Sequence, residues 1–194
     1  LHFIRQQPIV LGAISLDLFA VLLGGAIALL PIYTRDILLV GPWGLGLLRS
    51  APAIGALMMA LYFTQRPIRQ RAGVTLLAAV GVFGLATIGF ALSHTLWVSM
   101  AMLALCGAAD MVSVVIRRVI IQLATPDEMR GRVNAVNSLF AGTSNQLGDF
   151  RAGVMAAWLG AIPAVLVGGG GILLVILIWI RAFPALRHVD GFAG

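Results

Sequence analysis

This 194-residue sequence is short of the side chains from which catalytic and metal sites are built. It has one cysteine and three histidines, and its 13 basic residues are all arginine. The single Cys106 excludes a disulfide framework and a thiolate metal site. No Ser–His–Asp arrangement, Cys/His ligand spacing, P-loop or dinucleotide-binding glycine motif occurs in the chain. The sequence therefore predicts a protein that is not an enzyme and needs no metal or cofactor.

Charge is also scarce. Charged residues make up 10% of the chain and hydrophobic residues 60%, whereas an ordinary soluble domain is about a quarter charged. The mean hydropathy is +1.02 and the pI is about 11.3. A pI this high is typical of nucleic-acid binding, but these arginines flank apolar segments and lack interleaved aromatic residues. We therefore predict an integral membrane protein whose arginines contact anionic lipids, and no nucleic-acid partner.

Six apolar stretches are long enough to cross a bilayer as helices, which takes about 20 residues each. The predicted helices are 8–32, 43–63, 73–92, 96–123, 133–159 and 162–182. Thr125 or Asp127 is available as the N-cap of a short helix before the fifth span. Gly168 to Gly171 favour close helix packing in the sixth span over a hinge. The absence of a strand pattern predicts an all-α class, with a single six-helix membrane domain over residues 1–194.

The arginines are distributed unequally between the two sides of these spans. Ten of them fall on one side: Arg5, Arg66, Arg69, Arg71, Arg117, Arg118, Arg130, Arg132, Arg181 and Arg187. Positively charged loops stay in the cytoplasm during insertion, so both termini are predicted to be cytoplasmic. The end of the fourth helix that carries Arg117 and Arg118 is predicted to reach the lipid headgroups. Arg35 lies in a loop on the other side, while Arg49 and Arg151 lie within helices.

Two aspartates lie deep in the predicted spans, where ionisable groups are expensive and mark functional sites. Asp17 lies roughly 14 Å into the first helix, on a face of small residues that cannot be turned to lipid. Two interpretations stay open for Asp17: a hydrogen bond between helices, and a cavity group linked to protons. Asp110 lies deep in the fourth helix. Each aspartate is in the first helix of a three-helix group, as in the repeats of secondary transporters.

Two further charges lie nearer the ends of their helices. Arg49 is near the outer end of the second helix and differs in depth from Asp17 by roughly 12 Å. Asp149 of the fifth helix lies at a similar depth to Arg49. We therefore predict either an Arg49–Asp149 ion pair or Arg49 alone at the mouth of a cavity, with Arg151 able to compete for Asp149.

The fifth helix carries a stripe of polar and small residues along its length. At helical spacing the stripe occupies a sector of roughly 120°, and it comprises Asn134, Asn137, Ser138, Ala141, Asn145, Gly148 and Asp149. Unsatisfied polar side chains are costly in lipid, so this face must avoid lipid. It is predicted to face a water-filled path, and the alternative is packing against another polar helix.

Two long segments carry a family resemblance. Residues 15–57 resemble the seventh and eighth helices of major facilitator superfamily exporters, nearest the group that contains the enterobactin exporter and multidrug efflux permeases. Residues 125–153 resemble the loop and eleventh helix of the same group. The loop QRPIRQRAG resembles a degenerate form of the superfamily's signature loop. The loop residues singled out are Arg66, Arg69, Arg71, Gly73, Arg130, Gly131 and Arg132. The acidic residue usual in the signature loop is missing, which puts its gating role in doubt.

The resemblance implies the carboxy-terminal six-helix half of a twelve-helix permease in a bacterial inner membrane. It implies alternating access around a central site, proton-driven efflux of small amphipathic solutes, and a cavity lined by the first and fourth helices. The second and fifth helices would face the missing amino-terminal half. Because one bundle only half encloses a site, three arrangements are open: a longer chain, a homodimeric half-size carrier, and a non-transporting subunit docked in a larger complex.

Overall fold

The computed structural model describes residues 8–65 and 72–183, and within these ranges every regular element is helical. The helices are α1 (Pro8–Leu23), α2 (Pro42–Gln65), α3 (Ala72–Ala91), α4 (Leu96–Ala124), α5 (Asp127–Leu159) and α6 (Ala161–Ala182). An irregular helical segment, 27–37, follows α1. The predicted all-α class is confirmed.

Five stretches are long and apolar enough to cross a membrane. They are Ile9–Ile37, Pro42–Gln65, Ala72–Ala91, Leu96–Gln122 and Ala161–Ala182. The helix α5 is long enough, but its amides, hydroxyls and charges lower its hydropathy. The chain therefore has five candidate membrane spans, as expected of a multi-pass membrane protein, and the sixth span stays a prediction.

The first span differs from the predicted continuous helix 8–32. The helix α1 ends at Leu23, and Gly25 has a φ of 75°, in the left-handed region that favours glycine. The chain then continues through 3₁₀, α and π turns to Ile37. The first span is therefore two half-helices joined at Gly24–Gly25.

The fifth helix also begins earlier than predicted. Pro126 lies at its N-cap position, and the helix runs without interruption from Asp127 to Leu159. Thr125 ends α4 in an extended conformation. Because a proline cannot continue α4 but suits a helix start, the chain turns at Pro126 directly into α5. No separate short helix precedes it.

Glycines allow the closest packing in the bundle. A Cβ atom at Gly55 of α2 would collide with the backbone of Ala104 on α4, and one at Gly107 would collide with Pro52. Small residues of this kind let membrane helices approach closely. One hydrophobic core is shared by α1, α3, α4 and α6 and includes Leu16, Leu76, Ile116 and Ile172. A second core surrounds the irregular segment 27–37, and a smaller one joins α1, α4 and α5. The helix α5 packs on α1 and α6, which leaves one side of it uncovered.

Candidate functional site

A cavity of about 170 Å³ lies between the break in the first span and helices α2, α3, α4 and α5. Gly24, Gly25 and Ile27 line it at the break. Its polar lining groups are Thr87, Asp110, Asn145 and Asp149. The other lining residues are apolar or glycine, so the cavity has a polar side and an apolar side.

A second, smaller pocket of about 20 Å³ lies beside this cavity. The two spaces share Val21, Phe83 and Asp110. The small pocket is also lined by Asp17 and Ser113, and the hydroxyl of Ser113 has no hydrogen-bond partner in the described part of the chain. A pocket of this volume has room for one water molecule. Asp110, at the midpoint of α4, therefore faces both the cavity and the small pocket.

Asp17 forms an ion pair with Arg117 of α4. Both residues are buried, with exposed fractions of 7% and 6%. Arg117, predicted to reach the lipid headgroups, thus lies inside the bundle, and its depth in the bilayer stays a prediction. A buried carboxylate in a membrane needs a countercharge, and α4 supplies one from within the bundle.

Arg151 of α5 binds the broken end of α1. Its guanidinium donates to the carbonyl oxygens of Leu22 at 3.1 Å and Gly24 at 3.0 Å, and also to that of Leu23. The last carbonyls of a helix lack partners within the helix, and water is not available inside a bilayer to replace them. Arg151 therefore satisfies the backbone that the break leaves open.

The predicted stripe on α5 reaches the cavity at one end only. Asn145 and Asp149 line the cavity. Asn134 and Ser138 are exposed and Asn137 is half-buried, and none of the three lines the cavity. The stripe therefore runs along a partly exposed face of α5, and its Asn145–Asp149 end lines the cavity.

The predicted Arg49–Asp149 ion pair is not formed. The ion pairs Arg35–Asp36 and Asp17–Arg117 are present in the described part of the chain, and Arg49 and Asp149 take part in neither. Arg49 is exposed on α2, one helical turn from Pro52, which lines the cavity. Arg151 does not bind Asp149 because its guanidinium is engaged by backbone carbonyls.

Of the residues singled out in the loops, those that the structure describes are not part of the cavity lining. Arg66, Arg69 and Arg71 fall outside the described residues. Gly73 is buried in the first turn of α3. Arg130, Gly131 and Arg132 are exposed in the first turns of α5.

Sequence reasoning named Arg117 and Arg151 but did not predict their partners, and it did not single out Thr87 or Ser113. Arg151 was visible as an ionisable group inside a span. Thr87 and Ser113 carried no signal, since hydroxyls within membrane helices commonly bond to their own backbone.

The comparisons with known proteins give one match. The family model described as transmembrane secretion effector matches residues 6–192, nearly the whole chain. No curated protein matches the sequence.

Proposed function

Because the chain belongs to the transmembrane secretion effector family of major facilitator-type transporters, we propose that it forms part of a secondary active exporter. The proposed cargo is a small amphipathic solute, and the proposed driving force is a proton gradient. The observation that carries the proposal is the mid-span cavity with Asp110 on its wall and the Asp17–Arg117 pair next to it.

The small pocket gives the coupling proposal its physical basis. Asp110 has no ion pair in the described part of the chain, so its carboxylate is free to exchange a proton with water in the cavity. A water molecule in the small pocket would link Asp110 to Asp17. A proton on Asp17 would remove the charge that Arg117 neutralises, so protonation and the ion pair exclude one another. In this proposal a proton that reaches Asp17 breaks the Asp17–Arg117 pair, and the loss of a proton from Asp17 restores it.

The cavity needs a second wall. The helices α2 and α5 present large apolar side chains on their uncovered faces, among them Leu57 at 60% and Phe150 at 70% exposure. The polar residues of α5 are exposed on a neighbouring face. We propose that another six-helix unit, either the amino-terminal half of the same protein or a second copy, covers these faces in the cytoplasmic membrane of a bacterium.

A docked, non-transporting subunit is the competing interpretation of the same faces. Extraction from native membranes separates the two. A polypeptide about twice the 20.4 kDa of these residues, or a dimer of this chain, supports the carrier. A single copy that co-purifies with unrelated subunits contradicts it.

The transport experiment uses the protein reconstituted in liposomes with an imposed proton gradient and a panel of fluorescent amphipathic solutes. Asp17→Asn and Asp110→Asn are expected to slow gradient-driven efflux at least about tenfold, which corresponds to about 1.4 kcal/mol in the barrier. Asp36→Asn is the matched control, since Asp36 is exposed and lies outside the cavity lining. Efflux at the wild-type rate in both cavity variants would overturn proton coupling through these groups.

A further inference from the structure

We propose that the cavity binds an organic cation, a protonated amine with a small apolar body, through the carboxylates of Asp110 and Asp149. The proposal rests on the proposed function in that it names the class of solute carried. The binding itself is argued from the cavity alone.

The charge of the lining has one sign. Asp110 and Asp149 line the cavity, and no arginine or histidine is among the described residues that do so. Neither aspartate belongs to the ion pairs in the described part of the chain. Arg151, the nearest cation in sequence to Asp149, is engaged by the carbonyls of the first span. Two carboxylates without a countercharge at membrane depth favour a ligand that brings one.

The neutral polar groups in the lining are also acceptors. The hydroxyl of Thr87 donates a hydrogen bond to the carbonyl oxygen of Phe83 at 2.8 Å. The Asn145 side-chain nitrogen donates to the carbonyl of Ala141 at 3.0 Å. What remains to a ligand is a lone pair on Thr87 and, on Asn145, the amide oxygen and one N–H. A ligand that donates hydrogen bonds therefore satisfies the two carboxylates and both neutral groups, whereas an anion finds one N–H donor among these four groups.

The size and the apolar side of the cavity limit the ligand. An apolar cavity of about 150 Å³ is known to hold a benzene molecule, and this cavity of about 170 Å³ is similar. Phe83, Leu103 and Ile27 form part of the apolar lining. An aromatic ring such as that of Phe83 attracts a cation as well as an apolar group. One ring with an ammonium substituent fits both requirements.

An independent observation comes from the small pocket. Ser113 is 4% exposed, and its hydroxyl has no partner within the described residues. Its pocket of about 20 Å³ opens beside the shared wall at Asp110. A buried hydroxyl without a partner is unfavourable. A water molecule held between Ser113 and an N–H group bound at Asp110 would satisfy both groups. Within the described residues, no cluster of three or more metal-binding side chains competes for this place.

Calorimetry of the purified protein in lipid nanodiscs tests the proposal with three probes that differ mainly in charge. They are benzylamine at neutral pH, where it is a cation, benzyl alcohol and benzoate. Benzylamine is expected to bind at least about tenfold more tightly than benzyl alcohol, and benzoate most weakly. Asp149→Asn should weaken benzylamine about tenfold and leave benzyl alcohol unchanged. Asp149→Glu should retain most of the affinity, and Asp36→Asn all of it.

Benzyl alcohol is the check on folding, since its unchanged affinity in Asp149→Asn shows an intact cavity. Equal affinity for the cation and the alcohol would overturn the proposal, as would unchanged benzylamine binding in both Asp149→Asn and Asp110→Asn. If the gradient drives the export of neutral solutes and benzylamine does not bind, the cation site fails and the exporter stands. If benzylamine binds through Asp149 but no solute is transported, the exporter fails and the cation site stands.

Discussion

The carboxylate of Asp17 on α1 and the guanidinium of Arg117 on α4 form an ion pair that is buried inside the bundle. The pair adjoins the small pocket that Asp17 shares with Asp110. The Nε atom of Arg117 has no hydrogen-bond partner among the described residues. The pair therefore joins two helices at a point where neither charge could remain without the other.

Breaking this pair should destabilise the protein more than removing it. Asp17→Asn or Arg117→Gln leaves one buried charge unpaired, which costs about 3–5 kcal/mol, whereas replacing both partners by apolar or neutral groups is often close to neutral. We expect the double variant Asp17→Asn/Arg117→Met to be more stable than either single variant. The melting temperature can be followed with a thiol-reactive dye, because Cys106 is buried until unfolding.

Arg118→Gln is the matched control for this series, since Arg118 is the exposed neighbour of Arg117. It is expected to melt within a degree or two of the wild type, as surface substitutions change stability by about 0.5 kcal/mol or less. Melting temperatures that fall additively in the double variant would contradict a paired interaction.

Arg151 should be needed for the integrity of the broken span. Arg151→Gln removes the charged donor from three backbone carbonyls, and hydrogen bonds to charged groups contribute about 1.5–3 kcal/mol each. We expect a clear fall in melting temperature, with Arg151→Lys intermediate because an ammonium group lacks the planar fork of donors. Arg181→Gln, at an exposed position in the last turn of α6, is the control. A Gln variant as stable as this control would show that the carbonyls find other donors.

The bilayer made most of the helices predictable. Four of the six predicted helices, the second, third, fourth and sixth, agree with the structure to within two residues at both ends, since the thickness to be crossed sets the length that each needs. The break at Gly24–Gly25 was not predictable, because the sequence does not distinguish a glycine that packs against a helix from one that takes a positive φ. The position of Arg151 inside a span is explained by that break, because Arg151 binds the carbonyl oxygens next to it.

Arg117 could have been identified as the partner of Asp17 by the same comparison of depths that excluded Arg49 as that partner. It lies six residues before the predicted end of the fourth helix, roughly 9 Å deep, and Asp17 lies roughly 14 Å deep from the same side. Long arginine side chains cover such a difference. Because Arg117 was counted among the loop arginines, its depth was not compared with that of Asp17. Asn134 shows the opposite limit. Its face was predicted to line a water-filled path or to pack against another polar helix, but Asn134 is exposed and lies roughly 16 Å along α5 from Asn145, outside the cavity lining.

Two glycines on α6 should respond differently to alanine. A Cβ at Gly168 would collide with the carbonyl oxygen of Leu23, whereas one at Gly170 meets no atom within 4 Å. We expect Gly168→Ala to lower the melting temperature, because the backbone of the first span and α6 have to move apart where Arg151 binds the carbonyls. Gly170→Ala should be neutral or stabilising by up to about 1 kcal/mol, as alanine favours helix more than glycine. Equal effects at both positions would mean that α6 and the broken end are not in close contact.

The orientation in the membrane can be tested at one exposed residue from each end of the bundle. His94 lies between α3 and α4, and Arg132 lies near the start of α5. Since arginine-rich loops stay in the cytoplasm, a cysteine at residue 132 should react with a membrane-impermeant maleimide only after the cells are opened. A cysteine at residue 94 should react in intact cells. Cys106→Ala supplies the background, although the buried native thiol should react in neither case. The reverse pattern would place the Asp17–Arg117 pair on the outer side of the cavity, and an inward proton gradient would then reach Asp17 before Asp110.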